Sequence, residues 1–99
     1  SKVKFKIVIR HDGRYIRLIA EQIYLSDQLE KYRVTAKNKT LTFQSNSPLL
    51  RTRGLKYKKP DWKIIEGNLD NSYLTGEIIS QIQIYIEAKE KKMNGGGWS

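Results

Sequence analysis

An Asp-Gly dipeptide between two alternating segments constrains this chain more than any other feature. Val3, Phe5, Ile7 and Ile9 alternate with Lys4, Lys6, Val8 and Arg10, which is the period of a strand. His11-Asp12-Gly13-Arg14 follows. Asp-Gly suits the two positive-φ positions of a type I′ turn. With Asp12 and Gly13 as the loop, counting outward pairs Ile9 with Ile16, Ile7 with Leu18 and Phe5 with Ala20. All six share one face, so turn chemistry and hydrophobic pattern agree. The other face pairs Lys4 with Glu21, Lys6 with Ile19 and Val8 with Arg17.

A second hairpin is expected after residue 31. Tyr32, Val34 and Ala36 alternate with Arg33, Thr35 and Lys37, and Leu41 and Phe43 with Thr40 and Thr42. An Asn38-Lys39 loop places Ala36 opposite Leu41 and Val34 opposite Phe43. Asn accepts positive φ more readily than Lys, which leaves a longer turn open. Between the hairpins, Gln22 to Leu25 continues the strand past a bulge, and Ser26-Asp27-Gln28 is a turn. The rival reading, a helix from 16 to 31, wastes the Asp-Gly turn.

Ser45-Asn46-Ser47-Pro48 reads as a loop, and residues 49–60 lack clean periodicity. Trp62, Ile64 and Glu66 alternate with Lys63, Ile65 and Gly67, which predicts one more short strand. Asp70, Asn71 and Ser72 are good helix N-caps. Leu74, Ile78, Ile82 and Ile86 then recur at i+4, flanked by Ile79 and Tyr85. This predicts an amphipathic helix of about 18 residues, with Lys89, Lys91 and Lys92 near its negative end. A strand over 81–87 is the alternative, because Ile82, Ile84 and Ile86 also alternate. The expected architecture is α+β and mostly β: an antiparallel sheet of five or six strands, with curling towards a barrel left open, and a C-terminal helix packed on it.

The chain has 99 residues, which is one domain. We assign it to residues 1–93. Residues 94–99, Asn-Gly-Gly-Gly-Trp-Ser, read as a flexible tail of the kind that leads into an affinity tag, so Trp98 is set apart from any binding surface. Ser1 in place of Met points to a processed or engineered start. A domain this small buries roughly 60–65% of its unfolded surface, so its stability margin is narrow. With no Cys there is no disulfide framework or thiolate metal site, and one His makes no multi-His site. No apolar run reaches the ~18 residues of a membrane span. No signal segment follows Ser1, since Lys2, Lys4 and Lys6 interrupt the first apolar residues. The expected location is cytoplasmic. No cofactor is implied.

Charge supplies the functional signal. Lys and Arg number 19 against 10 Asp and Glu, a net +9. Arg51, Arg53, Lys56, Lys58, Lys59 and Lys63, against Asp61 alone, put +5 of this within 13 residues. Such concentration makes a local positive field. Tyr57 and Trp62 lie among these cations, so phosphate contacts and base stacking could coexist, stacking being worth about 1–3 kcal/mol per base. The opposing reading is a solvated loop with Trp62 in the core. A second cationic surface is the outer sheet face, where Lys4, Lys6, Arg10 and Arg17 fall together. Arg33 and Lys37 fall on the matching face of the second hairpin. For any single one of these residues the ordinary reading is a solvent face or a guarded strand edge.

Pro60-Asp61, followed by the apolar stretch 82–86 and Glu87-Ala88-Lys89, resembles the Pro-Asp … Glu-x-Lys pattern of one nuclease superfamily. The resemblance covers five motif residues. It implies Asp61 and Glu87 as metal-holding carboxylates and Lys89 as a group that helps to activate water, and it needs residues 82–89 to be a strand.

The favoured expectation is a non-enzymatic binding module for nucleic acid or another polyanion. The alternative is a protein-interaction or structural domain, a homodimer included, whose basicity serves solubility or an acidic protein partner. A metal-dependent nuclease fragment stands third.

Overall fold

The computed structural model describes residues 3–55 and 57–95, with side chains described as far as Lys89. The order is β1 (Val3–His11), β2 (Arg14–Leu25), β3 (Glu30–Thr35), β4 (Thr40–Ser45), α1 (Ser47–Thr52), β5 (Trp62–Glu66) and α2 (Ser72–Gly95). The strands form one antiparallel meander in the order β1-β2-β3-β4-β5. The sheet is open, with β1 and β5 at its edges, and does not close into a barrel.

The first hairpin has the register that counting requires: Ile9 opposite Ile16, Ile7 opposite Leu18, Phe5 opposite Ala20. Asp12 and Gly13 have φ of 52° and 74°, the two positive values of a type I′ turn. The β2–β3 register shifts between Gln22 and Tyr24, so the expected bulge sits at Ile23. In the turn that follows, Ser26 Oγ accepts hydrogen bonds from the backbone N–H of Gln28 and Leu29.

The second hairpin corrects the expected register. Val34 lies opposite Leu41 and Tyr32 opposite Phe43, not Val34 opposite Phe43. Residues 36–39 form the loop, closed by Ala36 N–H donating to the Lys39 carbonyl. Lys39 is a poor second residue for a two-residue turn, and the loop takes up two more residues instead. The slip is an even number, so every apolar side chain keeps its face.

Two further expectations change. The segment read as a loop at Ser47-Pro48 opens a helix, α1, whose six residues are too few to display a period. Pro48 suits its first turn, where an amide hydrogen has no partner to lose. Residues 81–87 lie in α2, as the helical period predicts and against the alternative of a strand; what changes is the end of the helix, which runs to Gly95 and takes in Asn94 and Gly95. Residues 96–99, and with them Trp98, lie outside the described residues. Asn71 is the N-cap: its Oδ1 accepts from the N–H of Leu74.

The helix covers one face. Ile78 and Ile82 are buried against Ile7, Ile9, Leu18, Ala20, Tyr32, Val34, Leu41 and Phe43. Two contacts set its direction. Tyr73 Oη donates to the Arg10 carbonyl, and Tyr85 stacks on Phe5 with ring centroids 3.8 Å apart. Twelve helical residues rise about 18 Å and five strand residues about 17 Å, so α2 runs antiparallel to β1 along its length. Among the described residues no helix is long and apolar enough to cross a membrane.

Gly67, with φ 85°, lets the chain after β5 pass close to β4. A Cβ there would stand 2.7 Å from the Thr40 carbonyl oxygen and 2.7 Å from Leu41 Cδ2. Gly54 has φ 71° but open space around it. Gly67→Ala is therefore expected to cost more than about 2 kcal/mol, and Gly54→Ala only about 1 kcal/mol of backbone strain. Urea unfolding of the two variants checks the difference; equal losses would mean that the close approach to β4 carries no weight.

Candidate nucleic-acid interface

Strand alternation under α2 leaves most of the second face of the sheet exposed, with Thr42 buried among its neighbours there. The observed pairings assign the residues of that face row by row. Arg10 lies opposite Tyr15, Val8 opposite Arg17, and Lys6 opposite Ile19, which in turn faces Thr35. A further row runs Lys4, Glu21, Arg33, Thr42, Glu66, and another Tyr24, Lys31, Gln44, Lys63. The cations of this face are Lys4, Lys6, Arg10, Arg17, Lys31, Arg33 and Lys63, against Glu21 and Glu66.

Both carboxylates fall in one row, where they are engaged. Glu21 pairs with Arg33 at 3.7 Å, and Glu66 accepts from Thr42 Oγ1 at 2.8 Å. The remaining rows carry cations alone. Two aromatics stand among them: Tyr15 is 68% exposed and Tyr24 48% exposed, with Lys31 Nζ 5.1 Å from the Tyr24 ring centre. Val8 and Ile19 are also about half exposed. The face thus presents fixed positive charge, two accessible ring faces and a patch of apolar side chain. That combination suits a chain of phosphates bearing flat, stackable groups.

The basic segment 51–63 is divided: Arg51 and Lys58 share the wall of one cavity, while Lys63 lies on the outer face of the sheet. Arg51 turns inward, with Nη2 3.9 Å from the buried Glu30 carboxylate. Arg53, Lys58 and Lys59 are exposed on the connection to β5, as is Tyr57, 79% exposed. Lys63 faces outward on β5 and lies 4.0 Å from Asp61. Trp62 lies opposite Ser45 on the inner face, its ring 6.1 Å from that of Tyr32, and its buried Nε1 has no hydrogen-bond acceptor among the described residues. Lys56 lies outside the described residues. Lys37 is exposed in the β3–β4 loop, off the strand where it was expected.

The nuclease-like pattern does not assemble. Glu87 and Lys89 sit two apart on α2, and residues two apart on a helix do not face each other as they would on a strand. Asp61 is exposed, its N–H donating to Asn46 Oδ1. Among the described residues no group of three His, Asp or Glu side chains is placed to hold a metal ion.

Sequence reasoning missed a polar cluster at one end of the inner face. The row Leu25, Glu30, Ser45, Trp62 crosses the sheet there. Glu30 is only 1% exposed. Its Oε1 accepts from Tyr32 Oη at 3.0 Å and its Oε2 from Ser45 Oγ at 3.0 Å. Gln22 Nε2 donates to Tyr32 Oη, and Ser47 Oγ lies 3.1 Å from Ser45 Oγ. The signal was available: Glu30 has the parity of Tyr32 and Val34. Tyr15, missed likewise, follows from pairing Arg10 by the same count as Ile9.

No protein-family model, no curated protein sequence and no solved structure matches this chain.

Burial, and then the neighbouring Glu30 charge, push the Tyr32 phenol well above its ordinary 10.0, outweighing the Gln22 hydrogen bond and Arg51, which pull it down. A phenol whose pKa is raised by folding contributes stability below its unfolded value and loses it as pH climbs past that value. The stability gap between wild type and Tyr32→Phe should therefore shrink by about 1 kcal/mol between about pH 10 and 11. Urea unfolding across that range measures it, and a constant gap would count against the buried phenol.

Proposed function

We propose that the protein is a non-enzymatic module that binds single-stranded nucleic acid on the open face of its sheet. One observation carries the reading. The meander aligns Lys6, Arg10, Arg17, Lys31 and Lys63 with Tyr15 and Tyr24 on the face opposite α2. A strand of phosphates meets the cations, and bases splayed from it meet the tyrosine rings. The exposed Arg53, Lys58 and Lys59 widen the positive field through which such a ligand arrives. A duplex hides the faces of its bases, so stacking on Tyr15 and Tyr24 favours the single strand.

Titration of labelled single- and double-stranded oligonucleotides against salt tests this. Binding should be tighter for the single strand and fall with log salt at a slope of about −0.7 per phosphate contacted. Lys6→Glu with Arg17→Glu should weaken it about tenfold or more at roughly 50 mM salt and flatten the slope. Tyr15→Ala should cost about 1–3 kcal/mol if one base stacks there. Absence of binding at low salt would sink the proposal and favour a protein-interaction domain with an acidic partner. Binding indifferent to the sheet-face variants, but lost on changing Arg53, Lys58 and Lys59, would move the interface to the connection before β5.

A further inference from the structure

On the helix side of the sheet, at its polar end, two cavities adjoin. Their volumes are about 360 and 310 Å³, and Arg51 and Ile86 stand in the wall of both. Each falls in the roughly 300–1,000 Å³ range of small-molecule sites. The first also has Lys58, Ser47, Gln83 and Glu87 in its walls, over Leu50 and Pro60. The second has Gln22, Tyr32 and Lys89, with Leu25 and Tyr85 as apolar walls. Each cavity thus has two cations and one carboxylate in its walls, Arg51, Lys58 and Glu87 in the first and Arg51, Lys89 and Glu30 in the second, and the second adds aromatic walls and an amide.

Arg51 is the feature that organises them. Its guanidinium sits 3.9 Å from Glu30, whose carboxylate is in turn fixed by Tyr32 and Ser45. A cation set in place by buried partners needs little further ordering when a ligand arrives. The planar guanidinium matches phosphate oxygens, and Lys58 adds a second charge in the same cavity. Glu30 lines only the second cavity; it offsets part of the Arg51 charge from behind, so Lys58 supplies the balance that an anion in the first cavity needs. Glu87 and Gln83, on α2, can accept hydrogen bonds from hydroxyl groups in the first cavity, between the cations and Ile86.

We infer that this double cleft binds a nucleoside monophosphate. The phosphate lies at Arg51 and Lys58, the sugar hydroxyls meet Glu87 and Gln83, and the base passes Ile86 to rest between Leu25 and Tyr85 within reach of Gln22. The site is on the opposite side of the sheet from the proposed nucleic-acid face and stands independently of it.

Amide chemical-shift mapping with AMP, CMP, adenosine and inorganic phosphate tests the assignment on the full chain. AMP or CMP should give saturable shifts at Arg51, Lys58, Tyr85 and Ile86, with adenosine and inorganic phosphate each about tenfold weaker or more. Arg51→Gln strips the cation from beside a buried carboxylate and threatens the fold, so the exposed Lys58→Gln carries the mutational arm. It should weaken AMP about fivefold or more without moving the unfolding midpoint. The proposal is overturned by any of three results. These are no saturable shift at about 10 mM nucleotide, inorganic phosphate binding as well as AMP, or shifts confined to Lys6, Arg17 and their neighbours on the other face.

Discussion

Everything in this molecule depends on one helix covering one face of one sheet. Ile78 and Ile82 supply the buried contacts from α2, and the apolar parity of four strands supplies the rest. A five-stranded sheet with α2 packed on one face buries apolar side chains there and leaves most of the other face to solvent. That asymmetry divides the chain's chemistry. Residues of one parity make the core; those of the other parity are free to carry charge, and they carry mostly positive charge. The basic surface is thus a product of where α2 lies, not of a special charged segment.

Much of this was legible in the residues, and the failures have physical causes. The first hairpin could be read to the residue because Asp12-Gly13 leaves one turn type and the apolar pattern allows only one parity. The second could be read only in parity, because Asn38-Lys39 does not specify a loop length; Val34 met Leu41 instead of Phe43, and Ala36 and Lys37 passed from the strand into the loop. The six-residue α1 was invisible to periodicity, although Ser47-Pro48 is a reasonable helix start. Concentrated charge in residues 51–63 drew attention by proximity in sequence, and the fold divides it between the two sides of the sheet. Arg51 goes to Glu30, Trp62 to the inner face, and Lys63 to the outer.

The polar end of the inner face shows how a small domain tolerates a carboxylate in its interior. Taking an ionised group out of water is costly unless hydrogen bonds and an opposite charge replace the water. Glu30 has both, from Tyr32, Ser45 and Arg51. Each helper comes from a different element: β3, β4 and α1. The cluster therefore ties the short α1 to the sheet at the place where apolar packing gives out, and fixes the direction in which the chain leaves β4.

The meander also sets an order of assembly. Every strand pairs with its neighbour in sequence: the first three pairings close short loops, and the fourth spans the longer connection that holds α1, so the sheet can grow in steps as the chain lengthens. The helix that dries its inner face comes last. Without α2, Ile7, Leu18, Val34 and Phe43 would form a paired but uncovered apolar surface, open to other chains. The lysines that alternate along the edge strand β1 guard the flank through which such chains would add. The positive charges of that strand would thus keep growing copies of the sheet apart.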